Sequence, residues 1–452
     1  MPKITMIGAG SVVFTRTLLN DILSFPELQD ATISLMDINS RRLEAAEMMA
    51  NRTSEELGAH AKVEASLDRR EALEGSDYVI NMIQVGGYEA TLLDFDIPRK
   101  YGLKQTIADT HGVGGVFRAL RTIPVLLEIC HDMQEVCPDA WLLNYTNPMA
   151  MLIWAVYKGT SVKVVGLCHS VQITTWQLSN YIGVPLEEIA FLAGGINHQN
   201  WLLRFERDGG DLYPRLRKVM EDPQVYMKDK VRFELFRRLG YFPTESSEHN
   251  AEYVPYFIQH EELIEELDIP IDEYIRRSEV NLQIFERTWE MLRSGELFDI
   301  HALAKYAAPI SPDYAAFISG EFASVSPEYA PLIIHSLETG QPRVIYGNVE
   351  NTGLIPNLPQ SCCVEVPCLV DKTGITPCYV GEIPPQCAAL NRVCINVQEM
   401  AVRAALEGNR EHVYHAVMLD PLASSILTLD DIWAMTDELI EAHGEAMPEG
   451  LR

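Results

Sequence analysis

The sequence predicts an α/β protein with an N-terminal doubly wound, mostly parallel sheet and a C-terminal α+β domain. Three observations carry this. Short apolar runs alternate with helical patterns through the first 170 residues. Glycines follow the first apolar run at once. Beyond about residue 170 the rhythm changes to long charged helical stretches mixed with short strand-like runs. A length of 452 residues suits two domains, and the change of rhythm places them at 1–170 and 171–452.

The elements follow in order. Lys3–Ile7 reads as the first strand and Ser11–Leu23 as a helix. Thr32–Met36 is a second strand, followed by a charged helix over Ser40–Leu57. Lys62–Ala65, Tyr78–Ile83, Trp141–Leu143 and Val162–Leu167 supply further strands. In the second half, Lys228–Leu239 and Glu261–Leu297 read as long helices. Val344–Tyr346 and Cys362–Val366 read as strands, and a helical region starts near Gln386. The Pro- and Gly-rich stretch Gly353–Pro385 reads as ordered loops, because apolar residues interrupt it throughout.

Composition excludes several classes. A net charge of −28 repels phosphate backbones and argues against nucleic-acid binding. No apolar run is long enough to span a bilayer, and Met1–Gly8 is too short for a signal segment. The expectation is a cytoplasmic protein. Nine cysteines, an odd number in a long chain, suggest reduced thiols. Six of them fall between Cys362 and Cys394 at spacings unlike a zinc site, so they read as small buried hydrophobes.

Gly8-Ala9-Gly10-Ser11 sits where the first strand gives way to the first helix. Glycines there let a dinucleotide pyrophosphate approach the helix amides, as in Rossmann-like domains. The third glycine of the usual pattern is replaced by Val13. Asp37 ends the second strand, where a carboxylate accepts from ribose hydroxyls and repels a 2′-phosphate. NAD is therefore favoured over NADP, although Arg41 and Arg42 follow closely. A plain tight turn with Ser11 as helix cap is the alternative.

Three polar segments stand out: the glycine-rich loop Gln105–Gly115 with Asp109 and, at the ends of strands, Asn144–Met149 with Asn147 and Gly166–Ser170 with Cys168 and His169. Carboxyl ends of parallel strands line the ligand crevice, so Asn147, Cys168 and His169 should face the cofactor's nicotinamide end. A fourth segment, Gly194–Trp201, adds His198. On its own, a Cys and a His 30 residues apart read as a buried thiol and a core imidazole.

Together, Gly8–Ser11, Asn144–Met149, Gly166–Ser170, Gly195–His198, Thr244–His249 and Asn357–Glu365 resemble the family 4 glycoside hydrolases, nearly end to end. This NAD-dependent family departs from the two-carboxylate mechanism of most glycosidases. The resemblance implies a nucleotide domain of the lactate/malate dehydrogenase type and a homodimer or homotetramer. It implies NAD⁺ and a divalent metal, Mn²⁺, held by Cys168 and His198. It implies cleavage of α-galactosides such as melibiose by oxidation at C3, loss of the C2 proton, elimination, water addition and reduction. His169 takes the position of the leaving-group acid, Asn147 that of a substrate amide, and Asp109 that of an acidic residue tuning the base. Glu248 is the expected base, with His249 and Tyr253 as competitors. The stretch Tyr88–Asp96 offers no cation before Arg99, which favours an unphosphorylated sugar. α-Glucosides and α-galacturonides stay open as substrates. A 2-hydroxy-acid dehydrogenase and a non-catalytic NAD-responsive binding protein stay open as other classes.

Overall fold

Six parallel strands fill one half of a single sheet: β1 (Lys3–Ile7), β2 (Thr32–Met36), β3 (Lys62–Ser66), β4 (Tyr78–Asn81), β5 (Trp141–Asn144) and β6 (Lys163–Leu167). They lie in the spatial order β3-β2-β1-β4-β5-β6 in this computed structural model, which describes residues 1–296, 298–310, 312–319 and 328–452. The doubly wound sheet expected from the apolar runs is present. β1 and β2 are buried at four of five positions and β4 at all four, whereas β3 at the sheet edge is half-exposed. Central parallel strands are covered on both faces, which is why they read as continuous apolar runs. Side chains such as Ile33, Ile80 and Leu142 have no exposed surface. Truncating one of them to alanine costs about 2–5 kcal/mol.

The order of strands along the chain reverses between β1 and β4, which run parallel, and this opens a crevice at their carboxyl ends. The register keeps these ends level: Ile7 lies beside both Met36 and Asn81, and Asn81 beside Asn144.

The same sheet runs on past residue 170. β7 (Ala190–Ile196), β8 (Gln199–Arg207), β9 (Gly210–Asp211), β10 (Phe242–Pro243), β11 (Arg343–Glu350), β12 (Cys363–Asp371) and β13 (Gly374–Pro377) add antiparallel strands in the order β6-β11-β12-β7-β8-β10. β13 pairs with β12, and β9 with β8. Asn348 of β11 lies beside Gly166 of β6, and Glu365 of β12 beside Gly195 of β7.

Two expectations need correction. The stretch Glu261–Leu297 is two helices, Glu261–Glu266 and Glu273–Ser294, and Leu297 lies outside the described residues. Pro270 disfavours helix at the residue before it, and both Asp268 and Asp272 have positive φ. The break is useful: Asp272 N–H and Tyr274 N–H donate to the carbonyls of Gln105 and Thr106 at 2.9 and 3.1 Å. The second correction concerns Gly353–Pro385: the strand expected at Cys362–Val366 runs on to Asp371 as β12, and β13 follows it where loop was expected. All nine cysteines are free thiols, and all but Cys378 are buried. Among the described residues no helix is long and apolar enough to cross a membrane.

Candidate active site

The turn after β1 is built from backbone. Gly8 has φ +84°, and a Cβ there would come within 2.9 Å of the Met82 carbonyl oxygen; only glycine meets both demands. A Cβ on Gly10 would lie 2.4 Å from Asp37 Oδ2, because the Gly10 N–H donates to that oxygen at 2.8 Å. Asp37 Oδ1 accepts from the Asn39 N–H, also at 2.8 Å. Helix Val12–Leu23 starts at Ser11, whose side chain makes no capping bond. The helix's first amides are thus left for water or an anion. Val13, in place of a third glycine, packs against a small second core that includes Val280 and Leu303.

A cavity of about 1400 Å³ covers this turn, lined by Gly8, Gly10, Ser11, Asp37 and Arg42 among others. It exceeds the range of about 300–1,000 Å³ usual for a drug-sized ligand and has room for an extended one. Arg41 does not line it; its guanidinium pairs with Glu286 at 2.5 and 2.9 Å. Arg42 donates to the Gly10 carbonyl at 3.1 Å and lies over the Phe285 ring.

A second cavity, about 380 Å³, shares Ser11, Phe14, Met82, Ile83, Gln84 and Tyr145 with the first. Its wall brings together Asp109, Asn147, Cys168, His169, His198 and Glu248, six residues the sequence singled out from five separate segments. Cys168, His198 and Glu245 each offer a ligand atom, all within 4.8 Å of one another. Asp109, His198 and His249 form a second such group.

The chemistry of the first group suits a divalent cation. Burial, with the charges of Glu245 and Glu365 nearby, pushes the Cys168 thiol well above its usual range; a cation's charge reverses that balance. Burial holds His198 down at about 4, so its ring stays neutral with a lone pair to give. Its Nδ1 meets the Tyr253 hydroxyl at 3.1 Å, and its Nε2 faces Glu245 Oε2 at 3.5 Å. A partner on one ring nitrogen orients the other toward a metal. Thiolate, imidazole and carboxylate together form a donor set for a first-row metal.

His169 follows Cys168 and is about one-third exposed, with Nδ1 3.6 Å from Glu328 Oε1. Burial works against its charge, but the hydrogen bond and charge of Glu328, with Glu245 and Glu365 beyond, outweigh it and raise its affinity for a proton. Asn147 Nδ2 donates to Asp109 Oδ2 at 3.3 Å, and Arg118 Nε donates to the Asn147 carbonyl at 3.1 Å. Despite burial, Arg118 and the two neighbouring histidines keep the Asp109 carboxyl below its usual range. The Asp109 loop is anchored from below. Glu252, almost fully buried, accepts from the amides of Thr106, Ile107 and Ala108 at 2.9, 3.2 and 2.9 Å.

The three candidates for base differ in placement. Glu248 lines the cavity, and Arg277 Nη2 lies 2.9 Å from its Oε1. Burial opposes its charge, but Arg277 and His249 prevail and lower its carboxyl pKa. His249 also lines the cavity, with Nδ1 2.6 Å from Ser246 Oγ. Tyr253 is 2% exposed and sits behind His198.

Sequence reasoning did not single out Glu245, Arg118, Arg277 or Glu328. Glu245 lay within a quoted segment, but its left-handed backbone, φ +70°, was invisible. His198 at +62° and Ala108 at +49° share that conformation, and such uncommon backbone collects at functional sites. No spacing signal links Arg277 or Glu328 to the rest. Arg99 pairs with Asp96 and Asp272 and lines neither cavity. Among the described residues, the arginines lining the second cavity are Arg118 and Arg277.

A doubly wound sheet, a large cleft at its switch point and an adjoining thiol–imidazole–carboxylate cluster define an α/β enzyme fold of the nucleotide-binding type. The chain belongs to family 4 of the glycosyl hydrolases. The family 4 glycosyl hydrolase model matches residues 3–184, and the family's C-terminal domain matches 193–423. The chain is 46% identical to an alpha-galactosidase of Bacillus subtilis, covering 99% of this chain and 100% of that one. It is 35% identical to an alpha-galactosidase of Rhizobium meliloti, covering 99% and 89%. A 6-phospho-beta glucosidase of Thermotoga maritima, solved with manganese, NAD⁺ and glucose-6-phosphate, shares the fold with a TM-score of 0.79. It is 19% identical, and the match covers 99% of both chains.

Proposed function

We propose that this protein is an α-galactosidase that hydrolyses α-galactosides such as melibiose with NAD⁺ and a divalent metal, Mn²⁺. The observation that carries the reading is the 46% identity over essentially the whole length of a named alpha-galactosidase. The geometry adds a dinucleotide-sized cleft that shares a wall with the cavity holding Cys168, His198 and Glu245.

Direct displacement needs a carboxylic acid and a carboxylate flanking the sugar. Here Asp109 and Glu248 are both held toward the ionised form by arginines, so neither suits the role of proton-donating acid. When bound, NAD⁺ supplies a reversible hydride acceptor, and the metal a Lewis acid. Cys168 and His198 would hold the metal, with Glu245 as a third donor. Gly8, Gly10, Ser11 and Asp37 would hold the dinucleotide. Asn147 would bind a sugar hydroxyl, its amide fixed by Asp109. His169, its proton retained by Glu328, would protonate the leaving oxygen near neutral pH. Glu248, ionised and in the wall, would accept the C2 proton. Residues 1–170 would then carry the nucleotide and, jointly with 171–452, the sugar side, within a homodimer or homotetramer. A cysteine ligand suits a reducing compartment, the cytoplasm.

The test is p-nitrophenyl α-galactoside hydrolysis with NAD⁺, Mn²⁺ and reductant supplied or withheld. Activity that needs catalytic NAD⁺ and Mn²⁺, without NADH accumulating, supports the reading. Full activity in enzyme stripped of both overturns it, and stoichiometric NADH points to a dehydrogenase.

A further inference from the structure

Among the described residues, the sugar-side cavity is lined by two arginines and no lysine. Both arginines already face partners. Arg118 Nη1 donates to the Tyr274 hydroxyl at 2.8 Å and lies 4.0 Å from Asp109 Oδ2. Arg277 is held from two sides: its Nη2 lies 2.9 Å from Glu248 Oε1 and 2.6 Å from Glu273 Oε1, and its Nε donates to Glu273 Oε1 at 2.8 Å.

Glu273 is the unusual member. Its side chain is 2% exposed, and it lines neither cavity. It sits one helical turn before Arg277 on helix Glu273–Ser294, behind the guanidinium as seen from the cavity. Burying a carboxylate is costly, and a glutamine there could also accept the Arg277 hydrogen bond. What the carboxylate adds is charge. Two carboxylates on one guanidinium leave the group with no net positive charge to offer a ligand.

We propose that the Glu248–Arg277–Glu273 clamp determines specificity: it cancels the Arg277 charge, so the cavity admits uncharged hexosides and rejects sugars bearing a phosphate or carboxylate. An exposed guanidinium in the same place would pair bidentately with such an anion. The inference rests on the reading that this cavity receives the sugar.

The test compares galactose with galactose 6-phosphate as competitive inhibitors of p-nitrophenyl α-galactoside hydrolysis by the NAD⁺- and Mn²⁺-loaded enzyme. Burial and the neighbouring Glu248 push the Glu273 carboxyl up to about 7, so the comparison is made at pH 8. Glu273→Gln should shift the ratio of inhibition constants toward the phosphate ester by on the order of tenfold, the scale of one unit charge in a partly desolvated site. Galactose itself should change by less than about twofold, since it carries no charge to respond. Glu273→Asp should retain the wild-type ratio, and adding Arg277→Gln to Glu273→Gln should abolish the gain. An unchanged ratio in Glu273→Gln, or a gain that survives loss of Arg277, would overturn the clamp. If that variant does not fold, Glu273→Ser gives the same reading. Failure of the wild type to hydrolyse galactosides or bind galactose would sink the proposed function instead. The clamp is then judged by calorimetric titration of sulfate into the NAD⁺-bound protein, which Glu273→Gln should bind more tightly than wild type; equal affinity would overturn it.

Discussion

The two adjoining cavities share six wall residues and are built in opposite ways. The larger is shaped by backbone at its turn: the Gly8 N–H donates to the Met36 carbonyl, and the Gly10 and Asn39 N–H groups donate to the Asp37 carboxylate, all within the first strand–helix–strand unit. The smaller is shaped by side chains arriving from Asp109, Cys168, His198, Glu245 and Arg277. A backbone-built site cannot be changed without disturbing the fold. A side-chain-built site can lose its chemistry and keep its shape.

The largest expected effect tests that second statement. Cys168→Ser should lower turnover by about a thousandfold or more, the scale of losing Lewis-acid stabilisation, and should reduce bound Mn²⁺. Its melting temperature without metal should stay within about 3 °C of wild type, since the swap is nearly isosteric. Metal analysis with thermal melts checks this; wild-type turnover and metal content would make Cys168 an ordinary core cysteine.

Gly10→Ala should behave in the opposite manner. Its Cβ would meet Asp37 Oδ2 at 2.4 Å, so stability should fall by about 1–3 kcal/mol, together with a clear loss of NAD⁺ affinity. Urea unfolding and calorimetry read the two losses side by side. Loss of NAD⁺ binding at unchanged stability would blur the distinction between the two regions.

Glu252 sharpens it, because here a side chain supports backbone. Burial pushes its carboxyl up to about 7, partly opposed by the amides of the Asp109 loop. With the folded value above the ordinary 4.5, the native state binds this proton more tightly than the unfolded chain does. Stability from this group is complete below about 4.5 and is lost as pH rises through about 7. Relative to Glu252→Gln, the wild type should therefore lose about 1–3 kcal/mol between pH 5 and pH 8. Parallel pH profiles for the two proteins in urea would contradict it.

The smallest effect is expected at Asp37. Asp37→Asn keeps the size but loses the charge beside the ribose, so NAD⁺ should bind up to about tenfold more weakly and the preference over NADP⁺ should shrink. Binding constants for both nucleotides measure this, and an unchanged preference would place selectivity elsewhere.

The same contrast explains what the sequence made legible. Apolar runs marked the central parallel strands because both of their faces are covered, whereas β3, at the half-exposed edge, gave only a short mixed run. Gly8, Gly10 and Asp37 were legible because their constraints are local. The helix break at Pro270 was passed over, although proline signals it, because apolar and charged periodicity continues on either side. The metal-type cluster was legible only as a resemblance. Cys168 and His198 meet through sheet strands whose spatial order, β6-β11-β12-β7, departs from chain order. Arg277 reaches the smaller cavity from helix Glu273–Ser294, and Glu328, just before helix Tyr329–Thr339, lines the larger one and faces His169, so no spacing rule points to them. Their role is electrostatic and depends on who stands beside them.

Removal of the C2 proton separates elimination from displacement most directly. Hydrolysis of an α-galactoside in D₂O by the NAD⁺- and Mn²⁺-loaded protein should release galactose carrying deuterium at C2, and Glu248→Gln should suppress that exchange whatever the leaving group. Released galactose with protium only at C2, at full turnover and with a base open to solvent exchange, would contradict the oxidation–elimination reading and return the protein to displacement chemistry.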